Sequence, residues 1–361
     1  MTRRRAKINE RVPITPRKVV VYTDNLMTST GVRDPASGES AMDLAHSLAD
    51  TLNKALVIST SFRFDPELNM LEILDPYNLR NNIKVKGLTN YAVSVKLYLL
   101  PAAAHTDDRP ASLYVRQAMA CVERQLGPVK IDELFVAFPD ITNHFPRSPD
   151  LRPASEDRDS QPGQKSSAAS TVDSSNGNTY DMTRYLKVWR ALNRLKKTGK
   201  AVKIGVCDLS KPQLEALCEQ SGIIPDMLQV HVTNDPTEDT NPLDGSLQKL
   251  AKLHDISIRT HTDSMAILSD RTFHHLATDF KINERFPTTE VPPQGYKIDF
   301  MRPRWVVNYN VTLQSRGLVS NRGYIAMASS DCVLDPNRTS RTAFVQPPRR
   351  PLKSSRAFHA H

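Results

Sequence analysis

Short runs of β-branched and other apolar residues alternate along this chain with amphipathic stretches of helical spacing. The runs lie at 19–22, 56–59, 93–99, 134–138, 202–206, 228–232, 256–259 and 311–313, and the helical stretches at 41–53, 111–126, 181–198, 211–220 and 244–254. The packing of one apolar face on a sheet accounts for the pattern of apolar residues in each helical stretch. Alternation of about eight strands with helices predicts a parallel sheet, either closed as a barrel or open and wound on both faces.

Side-chain alternation within the strands favours the closed form. Val93, Val95 and Leu97 are bulky, whereas the residues between them, including Lys96, are small or polar, and the strand at 202–207 alternates in the same way. Bulky residues facing helices and mixed residues facing inward are what a barrel wall requires. The sequence therefore predicts an α/β fold of the (β/α)8 TIM-barrel type.

The predicted barrel spans 19–332, with three regions outside its core. Residues 146–180 and 333–361 are poor in apolar residues and cannot bury enough surface to offset the entropy of ordering. We therefore predict a disordered insertion at 146–180 and a basic, disordered C-terminal tail at 333–361. Residues 1–18 are predicted to form a basic N-terminal tail.

The formal net charge of +9 suggests a nucleic-acid partner at first sight. The excess of basic residues falls in the two tails, however, so the predicted barrel is close to neutral. Solvated tails explain this distribution. A nucleic-acid-binding protein is the alternative, but no recognition helix or stacking motif lies between the tails. No run of about 18 apolar residues predicts a membrane span.

The cysteines Cys121, Cys207, Cys218 and Cys332 form no CxxC pair, and no His stands at zinc-ligand spacing from them. This usage is typical of a reducing compartment and predicts no metal site. The basic start of the chain is not followed by the apolar segment of a secretory signal, although a mitochondrial presequence is an alternative. The predicted location is the cytoplasm.

Motifs of common nucleotide and hydrolase sites are absent from the sequence, namely GxxxxGK[ST], GxGxxG, HExxH and GxSxG. The predicted barrel also has no acidic cluster of the kind that holds magnesium around ATP phosphates. The sequence thus argues against an ATP-dependent ligase site within this chain.

Residues 204–217, IGVCDLSKPQLEAL, run from a strand through a turn into a helix, with Ser210 as the predicted N-cap. They resemble the IGVSNF…QLEEL stretch of aldo/keto reductases, and Gln229 in MLQVHV matches the next strand of that family. The resemblance implies that a Ser–Asn pair and this Gln hold the nicotinamide of NADPH, but here the pair is Cys207 and Asp208. Asp lacks the amide donor of Asn and adds negative charge, so we predict no required cofactor. Residual NADPH binding without catalysis is an open alternative.

The same resemblance locates the catalytic positions. Lys96 in VSVKLY matches the Lys-bearing strand of the reductases and is expected to point inward near the C-terminal mouth. The His position of the family holds Ala137, and no segment matches the one that supplies the catalytic Tyr and Asp. At the phosphate-binding end, Ser315 is retained. In that family the Lys tunes the pKa of the Tyr, which acts as the general acid. Because the Tyr has no match here, Lys96 has no acid to activate, and we predict no catalytic residues. The alternative role for Lys96 is pairing with a carboxylate.

The segment WVVNYNVTLQSRGLVSNRGYIAMA at 305–328 resembles a narrower family. It is similar to the signature W…LRYxVxxKSRGxxxxKGYIxxA of the regulatory, or modifier, subunits of glutamate–cysteine ligase. IGVCDLSKPQLEAL and VSVKLYL give further support. The resemblance covers 19–60, 90–144 and 181–330.

This second resemblance implies a protein that is not itself an enzyme. Such a subunit binds the glutamate–cysteine ligase catalytic subunit as a heterodimer in the first step of glutathione synthesis. It raises activity and glutamate affinity and relieves feedback inhibition by glutathione. The alternative function is an active NADPH-dependent aldo/keto reductase.

The loop predicted at 315–324 supplies the predicted interface. We expect Arg316, Arg322 and Tyr324 to contact the partner, because Arg and Tyr are common interface anchors. The alternative is that Gly317 and Gly323 serve turns while Arg316 forms an internal salt bridge.

Overall fold

The computed structural model of the chain describes residues 17–27, 40–74, 90–101, 111–138, 182–232, 245–264, 266–287, 296–298, 300–330 and 332–334. The strands are β1 (Lys18–Tyr22), β2 (Phe62–Asp65), β3 (Met70–Leu74), β4 (Tyr91–Leu99), β5 (Ile131–Ala137), β6 (Ala201–Cys207), β7 (Met227–His231), β8 (Ser257–His261), β9 (Tyr296–Ile298), β10 (Arg302–Leu313), β11 (Leu318–Ser329) and β12 (Cys332–Leu334). The α-helices are α1 (Ser40–Val57), α2 (Ala111–Leu126), α3 (Met182–Lys197), α4 (Lys211–Ser221), α5 (Gly245–Leu253) and α6 (Asp270–Asp279). Short 3₁₀ helices lie at Ser59–Ser61 and Ile282–Arg285.

Helix α3 matches the stretch predicted at 181–198 and shows why these stretches fold as they do. Tyr185, Trp189 and Leu192 recur at intervals of four and three residues and are all buried, so they form one apolar stripe. The Trp189 indole donates a hydrogen bond to the backbone carbonyl of Ile223 at 3.0 Å. This bond satisfies the one polar group of a side chain that is otherwise sealed from water.

Helix α4 begins where the sequence places its cap. The backbone N–H of Ser210 donates to the Gln213 side-chain oxygen at 2.8 Å, which satisfies an amide at the start of the helix. At the other end, Gly222 adopts a φ of +66° and terminates the helix in the left-handed region that glycine favours. The predicted N-cap at Ser210 is therefore confirmed.

The described strands form one ten-stranded sheet, called the ladder here, in the order β2-β3-β1-β11-β10-β4-β5-β6-β7-β8. A second, small sheet consists of β9 and β12. Strands β4 to β8 pair with one another in parallel, in sequence order, and helices α2 to α5 lie between them in sequence. This regular alternation of strand and helix confirms the predicted α/β class.

The hairpin of β10 and β11 departs from a regular barrel, in which every strand is parallel. Only 311–313 is predicted as strand there, whereas β10 spans 12 residues. It pairs antiparallel with β11 and with β4, while β11 pairs antiparallel with β1. The hairpin thus lies between β1 and β4. Within the described part of the chain, β2 and β8 end the ladder, and no pairing joins them.

One face of the ladder, called the first face here, packs against helices α2 to α5. Val93, Val95 and Leu97 of β4 lie in the core on this side, together with the helix residues Tyr114 and Trp189. All five are fully buried. The predicted orientation of the bulky β4 residues toward the helices is therefore confirmed.

The opposite, second face packs against helices α1 and α6. Tyr98 of β4 and Cys207 of β6 lie on this side in a separate core with Leu44 and Leu48 of α1 and Phe273 of α6. Because successive strand residues point to opposite faces, Lys96 shares this face with Tyr98. Lys96 is consequently a charged side chain on the second face of the sheet.

The predicted insertion at 146–180 lies outside the described residues, as does most of each predicted tail. Within the described residues, β1 begins at Lys18 and β12 ends at Leu334, and the predicted domain boundaries stay predictions. None of the helices in the described ranges is long and apolar enough to cross a membrane.

Gly205 of β6 is expected to tolerate no side chain. A Cβ added there would lie 2.7 Å from the Phe135 ring and 2.8 Å from the Met227 carbonyl oxygen. We expect Gly205→Ala to lower the free energy of unfolding by about 1–3 kcal/mol through overpacking, measured by urea denaturation. Gly245→Ala is the matched control, because a Cβ there meets nothing within 4 Å. Equal stability of the two variants would contradict this packing.

Candidate functional site

Polar side chains from four strands converge on the second face, near the carboxyl ends of β4, β6, β7 and β8. The parallel registers bring them together, since Tyr98 stands opposite Ala137, Cys207 opposite Gln229 and His231 opposite His261. We call this set the polar cluster. Its members are Lys96, Tyr98, Cys207, Asp208, Gln229, His231, His261 and Asp263.

Asp263 is the anchor of the polar cluster. Its carboxylate accepts hydrogen bonds from the Lys96 ammonium and the Tyr98 hydroxyl, both at 2.9 Å. The side chain of Lys96 is only 7% exposed. Burial raises the pKa of Asp263, but the Lys96 charge and these hydrogen bonds outweigh it and hold that pKa below its usual value. Asp263 is therefore ionised and neutralises a buried lysine.

Lys96 and Tyr98 are both held in their protonated forms. Burial by itself lowers the pKa of Lys96, but its interactions with Cys207 and Asp263 oppose this and leave the pKa raised. Burial and the neighbouring Asp263 charge raise the pKa of Tyr98 well above its usual value. Tyr98 is also only 2% exposed. Its proton is thus directed at Asp263 and kept from solvent.

His261, at the end of β8, is hydrogen-bonded to Asp208, which follows β6. Its contacts also fix which ring nitrogen carries the proton. Its Nδ1 lies 3.3 Å from the Lys96 ammonium and 3.2 Å from the Asp263 backbone N–H, both of which are donors. Nδ1 must accept, so Nε2 carries the proton of the neutral ring and donates to the Asp208 carboxylate at 3.0 Å.

Asp208 occupies the turn position where β6 ends. Its φ of +58° lies in the left-handed region, which Asp and Asn tolerate better than most residues. The backbone N–H of Asp208 donates to the Gln229 carbonyl at 2.8 Å, and its carboxylate accepts from the His231 backbone N–H at 2.7 Å. The residue therefore ties the β6 turn to β7 and β8, and its side chain acts only as an acceptor in these bonds.

Cys207 and Gln229 face each other beside Asp208. The Cys207 thiol donates to the Gln229 side-chain oxygen at 3.4 Å. Burial raises the pKa of Cys207 to about 12, so the thiol is protonated and a poor nucleophile at neutral pH. The structure thus places three of the four predicted cofactor-binding residues together.

His231 lies at the end of β7, beside His261. Its ring packs edge-on against His261 at 5.5 Å, and its Nδ1 is buried without a hydrogen-bond partner. Burial and the neighbouring His261 lower its pKa, so the ring is neutral at neutral pH. The described residues contain no group of three or more His, Cys, Asp or Glu side chains that could hold a metal ion.

The remaining predicted site residues, Ala137 and Ser315, lie in two different parts of the structure. Ala137, at the predicted His position, ends β5 beside Tyr98 and is buried. Ser315 does not join Cys207 and Gln229, which corrects the prediction for this residue. It lies in the exposed turn between β10 and β11, and β10 runs antiparallel to β4. The turn is consequently at the amino end of β4, opposite the polar cluster.

The three predicted interface residues are not equivalent. Arg316 is exposed in the β10–β11 turn. Arg322 is half-buried and lies 3.7 Å from Asp43 of α1 and 3.5 Å from the Tyr324 hydroxyl. Tyr324 is fully buried, which corrects its prediction as a surface contact. Its side chain points to the second face, which α1 covers, and its ring packs in the core on that side.

Sequence reasoning missed Tyr98, His261 and Asp263. Tyr98 could have been found, because a residue two positions after Lys96 in a strand must share its face. The predicted strand at 256–259 ends too early, whereas β8 continues to His261 and places it opposite His231. No sequence signal connects Asp263 with a lysine 167 residues away.

No protein-family model matches the chain. The curated relatives are glutamate–cysteine ligase regulatory subunits: that of Mus musculus is 31% identical and that of Homo sapiens 29% identical, each over 140 residues. These matches cover 39% of this chain and 45% of the relatives, so the chain spans less than half the length of the proteins it matches.

Solved structures similar to this chain are aldo/keto reductases. The enzyme from Brucella melitensis is 16% identical, with a TM-score of 0.28, over 45% of this chain and 43% of that chain. The Bombyx mori enzyme in complex with NADP is 22% identical, with a TM-score of 0.27, over 45% and 39%. TM-scores this low do not define a fold, so the α/β class rests on the strand order described above.

The chain is thus an α/β protein with strand–helix alternation and a polar cluster at the carboxyl ends of its parallel strands. The predicted resemblance to glutamate–cysteine ligase regulatory subunits is confirmed, because the curated proteins similar to this chain carry that name.

Asp263→Asn tests the ion pair at the centre of the polar cluster. The substitution leaves Lys96 buried without its counter-charge, so we expect a loss of about 3 kcal/mol in the free energy of unfolding at pH 7. Lys96→Met combined with Asp263→Asn should be more stable than Asp263→Asn alone. Urea denaturation of both variants measures the difference, and a double variant no more stable than Asp263→Asn would contradict the pairing.

The same pair predicts a pH dependence. The pKa of Asp263 is lower in the folded state than its ordinary value of 3.8. Its contribution to stability is therefore present above that ordinary value and is lost as the pH falls through the lower, folded-state pKa. The stability gap between wild type and Asp263→Asn should narrow below about pH 4, and a gap that stays constant there would argue against ionised Asp263.

Proposed function

We propose that this chain is a regulatory subunit that binds the catalytic subunit of glutamate–cysteine ligase. In this proposal the two chains form a cytoplasmic heterodimer at the first step of glutathione synthesis. The regulatory chain raises catalytic activity and glutamate affinity and relieves feedback inhibition by glutathione. The observation that carries the proposal is the similarity over 140 residues to curated regulatory subunits of that ligase.

The polar cluster supports a non-catalytic role. Asp208 stands where an amide would be needed to hold a nicotinamide, and both of its described side-chain interactions use it as an acceptor. Tyr98 is buried and directs its proton to Asp263. A cluster whose charges neutralise one another internally suits a rigid scaffold for a binding surface.

The exposed turn between β10 and β11, residues 314–317, together with the first two residues of β11, is the surface we propose for the partner. It carries Arg316 beside Leu318 and Val319, which are 57% and 39% exposed. Exposed apolar side chains next to an Arg are typical of interface anchors. Gly317 has a φ of +61° and donates to the Leu313 carbonyl at 2.8 Å, so the turn is tight and presents these side chains in a fixed arrangement.

Regulation of this kind is a coupling free energy between two binding events. If the regulatory chain binds the active conformation of its partner more tightly than the inactive one, it shifts the partner toward the active state. An ordinary coupling of about 1–3 kcal/mol would change glutamate affinity by roughly 5- to 150-fold. By reciprocity, glutamate would tighten the heterodimer by the same factor.

A pull-down and activity assay with the purified catalytic subunit tests the proposal. We expect a complex to form and the glutamate requirement to fall. Arg316→Ala and Leu318→Ser should each weaken the complex by about tenfold, because loss of an interface anchor costs more than about 1 kcal/mol. The matched controls are Arg194→Ala and Leu253→Ser, at exposed positions on α3 and α5. Absence of a complex would refute the proposal, and equal effects of variants and controls would refute the choice of surface.

An active NADPH-dependent aldo/keto reductase is the second candidate. The observation that favours it is the meeting of Lys96, Tyr98, His261 and Asp263, the four residue types of reductase catalysis, in one cluster. A fluorescence titration with NADPH, followed by a carbonyl substrate screen, separates the two. Under the regulatory proposal we expect no turnover. Saturable NADPH binding with turnover that is lost in Tyr98→Phe would establish the reductase.

A further inference from the structure

A β-bulge lies in β11 next to the surface proposed for the partner. Val311 of β10 pairs with Asn321, but the next β10 residue, Thr312, pairs with Val319, so Ser320 is the extra residue between the two pairs. The Ser320 hydroxyl donates to the Val311 carbonyl at 3.2 Å. A bulge re-aims the side chains beside it. Here those side chains belong to the exposed start of β11.

The position of the bulge decides which way the two exposed apolar side chains of that surface point. With the bulge, Val319 stands opposite Thr312 and Leu318 opposite Leu313. A regular register without the bulge would instead place Val319 opposite Leu313. Because a shift of one residue turns every side chain of a strand to the other face, Leu318 and Val319 would exchange faces if the bulge were lost.

The side chain of Asn25 holds the bulge in place. Its amide nitrogen donates to the Ser320 backbone carbonyl, and its oxygen accepts from the Arg322 backbone N–H, both at 3.1 Å. The same oxygen accepts from the Met27 backbone N–H at 3.1 Å. Asn25 is only 1% exposed. A buried carboxamide therefore bonds to β11 on either side of Asn321, as a peptide group of a neighbouring strand would.

Asparagine suits this position because the backbone of β1 does not extend to the bulge. β1 ends at Tyr22, opposite Ile325, and the chain after it stays beside β11, where the Leu26 N–H donates to the Arg322 carbonyl at 2.8 Å. A carboxamide both donates and accepts hydrogen bonds, whereas a carboxylate of the same shape only accepts. The bond to the bulge carbonyl consequently depends on the amide nitrogen of Asn25.

We infer that Asn25 is a positioning residue for the partner surface. By fixing the bulge at Ser320 it sets the direction of Leu318 and Val319, and through them the affinity for the catalytic subunit. Its own side chain is buried, so it acts through the bulge and not by contact with the partner. This inference rests on the regulatory function and the surface proposed above.

Asn25→Asp tests the inference through a single hydrogen bond. The carboxylate keeps the acceptor for the Arg322 and Met27 amides but cannot donate to the Ser320 carbonyl. We expect the complex with the purified catalytic subunit to weaken about fivefold, the effect of losing one neutral hydrogen bond. Amide hydrogen exchange at 318–320, measured on the full chain without its partner, should accelerate by a similar factor.

Thr23→Val is the matched control in the same seam between β1 and β11. The Thr23 hydroxyl accepts from the Tyr324 N–H at 2.8 Å and donates to the Tyr324 carbonyl at 3.1 Å, away from the bulge. This variant should also unfold at a lower urea concentration, because it loses both bonds. We expect it to leave the affinity for the catalytic subunit and the exchange at 318–320 unchanged.

Ser320→Ala serves as a second variant if Asn25→Asp does not fold. It removes only the hydroxyl bond to Val311, so it should loosen the same bulge and accelerate exchange at 318–320. The inference is overturned if Asn25→Asp binds as tightly as wild type, or if Asn25→Asp and Thr23→Val weaken the complex equally. If the wild-type chain forms no complex, the proposed function fails. Hydrogen exchange then decides separately whether Asn25 fixes the bulge, and unchanged exchange at 318–320 in Asn25→Asp would refute it.

Discussion

The pairing of β10 with β4 is the contact on which the described architecture depends. On one side of it stand β1, β2, β3 and β11, and on the other the parallel run β4 to β8. The nine register pairs from Trp305–Leu99 to Leu313–Tyr91 join these two parts. They also bring the β10–β11 turn to the amino end of β4. The surface proposed for the partner is therefore positioned by the antiparallel pairing of β10 with β4.

The sequence predicts the parallel half of the molecule well. Alternation in β4 correctly assigns Val93 to the helix-covered face, and Ser210 marks the start of α4, because both signals depend on residues close together in the chain. The hairpin is predicted poorly. Much of β10 is buried on both faces, and a continuous buried run carries no period-2 pattern to reveal a strand.

In the polar cluster, too, local sequence motifs identify some residues, whereas others can be assigned only once the fold is known. Lys96, Cys207 and Gln229 come from motifs, and the structure brings them to one end of neighbouring strands. Asp263, which neutralises Lys96, follows β8 and could not be assigned without the fold. Ser315 was misplaced because its motif match presupposes a last strand parallel to the others, whereas β10 reverses direction and takes the turn to the far end. A motif predicts a residue's neighbours only when strand direction is also known.

The pairing of β1 with β11 has a consequence for how this chain is synthesised. Thr23, which follows β1, exchanges hydrogen bonds with Tyr324, and the two residues are 301 positions apart. The parallel unit β4 to β8 consists of neighbouring segments and can assemble as they leave the ribosome. The edge of β1 that pairs with β11 must wait until β11 is made, because Thr23 and its partner Tyr324 are 301 positions apart. During that interval, which lasts about 15–60 s at ordinary elongation rates, its unpaired backbone is exposed to chaperones and to other nascent chains.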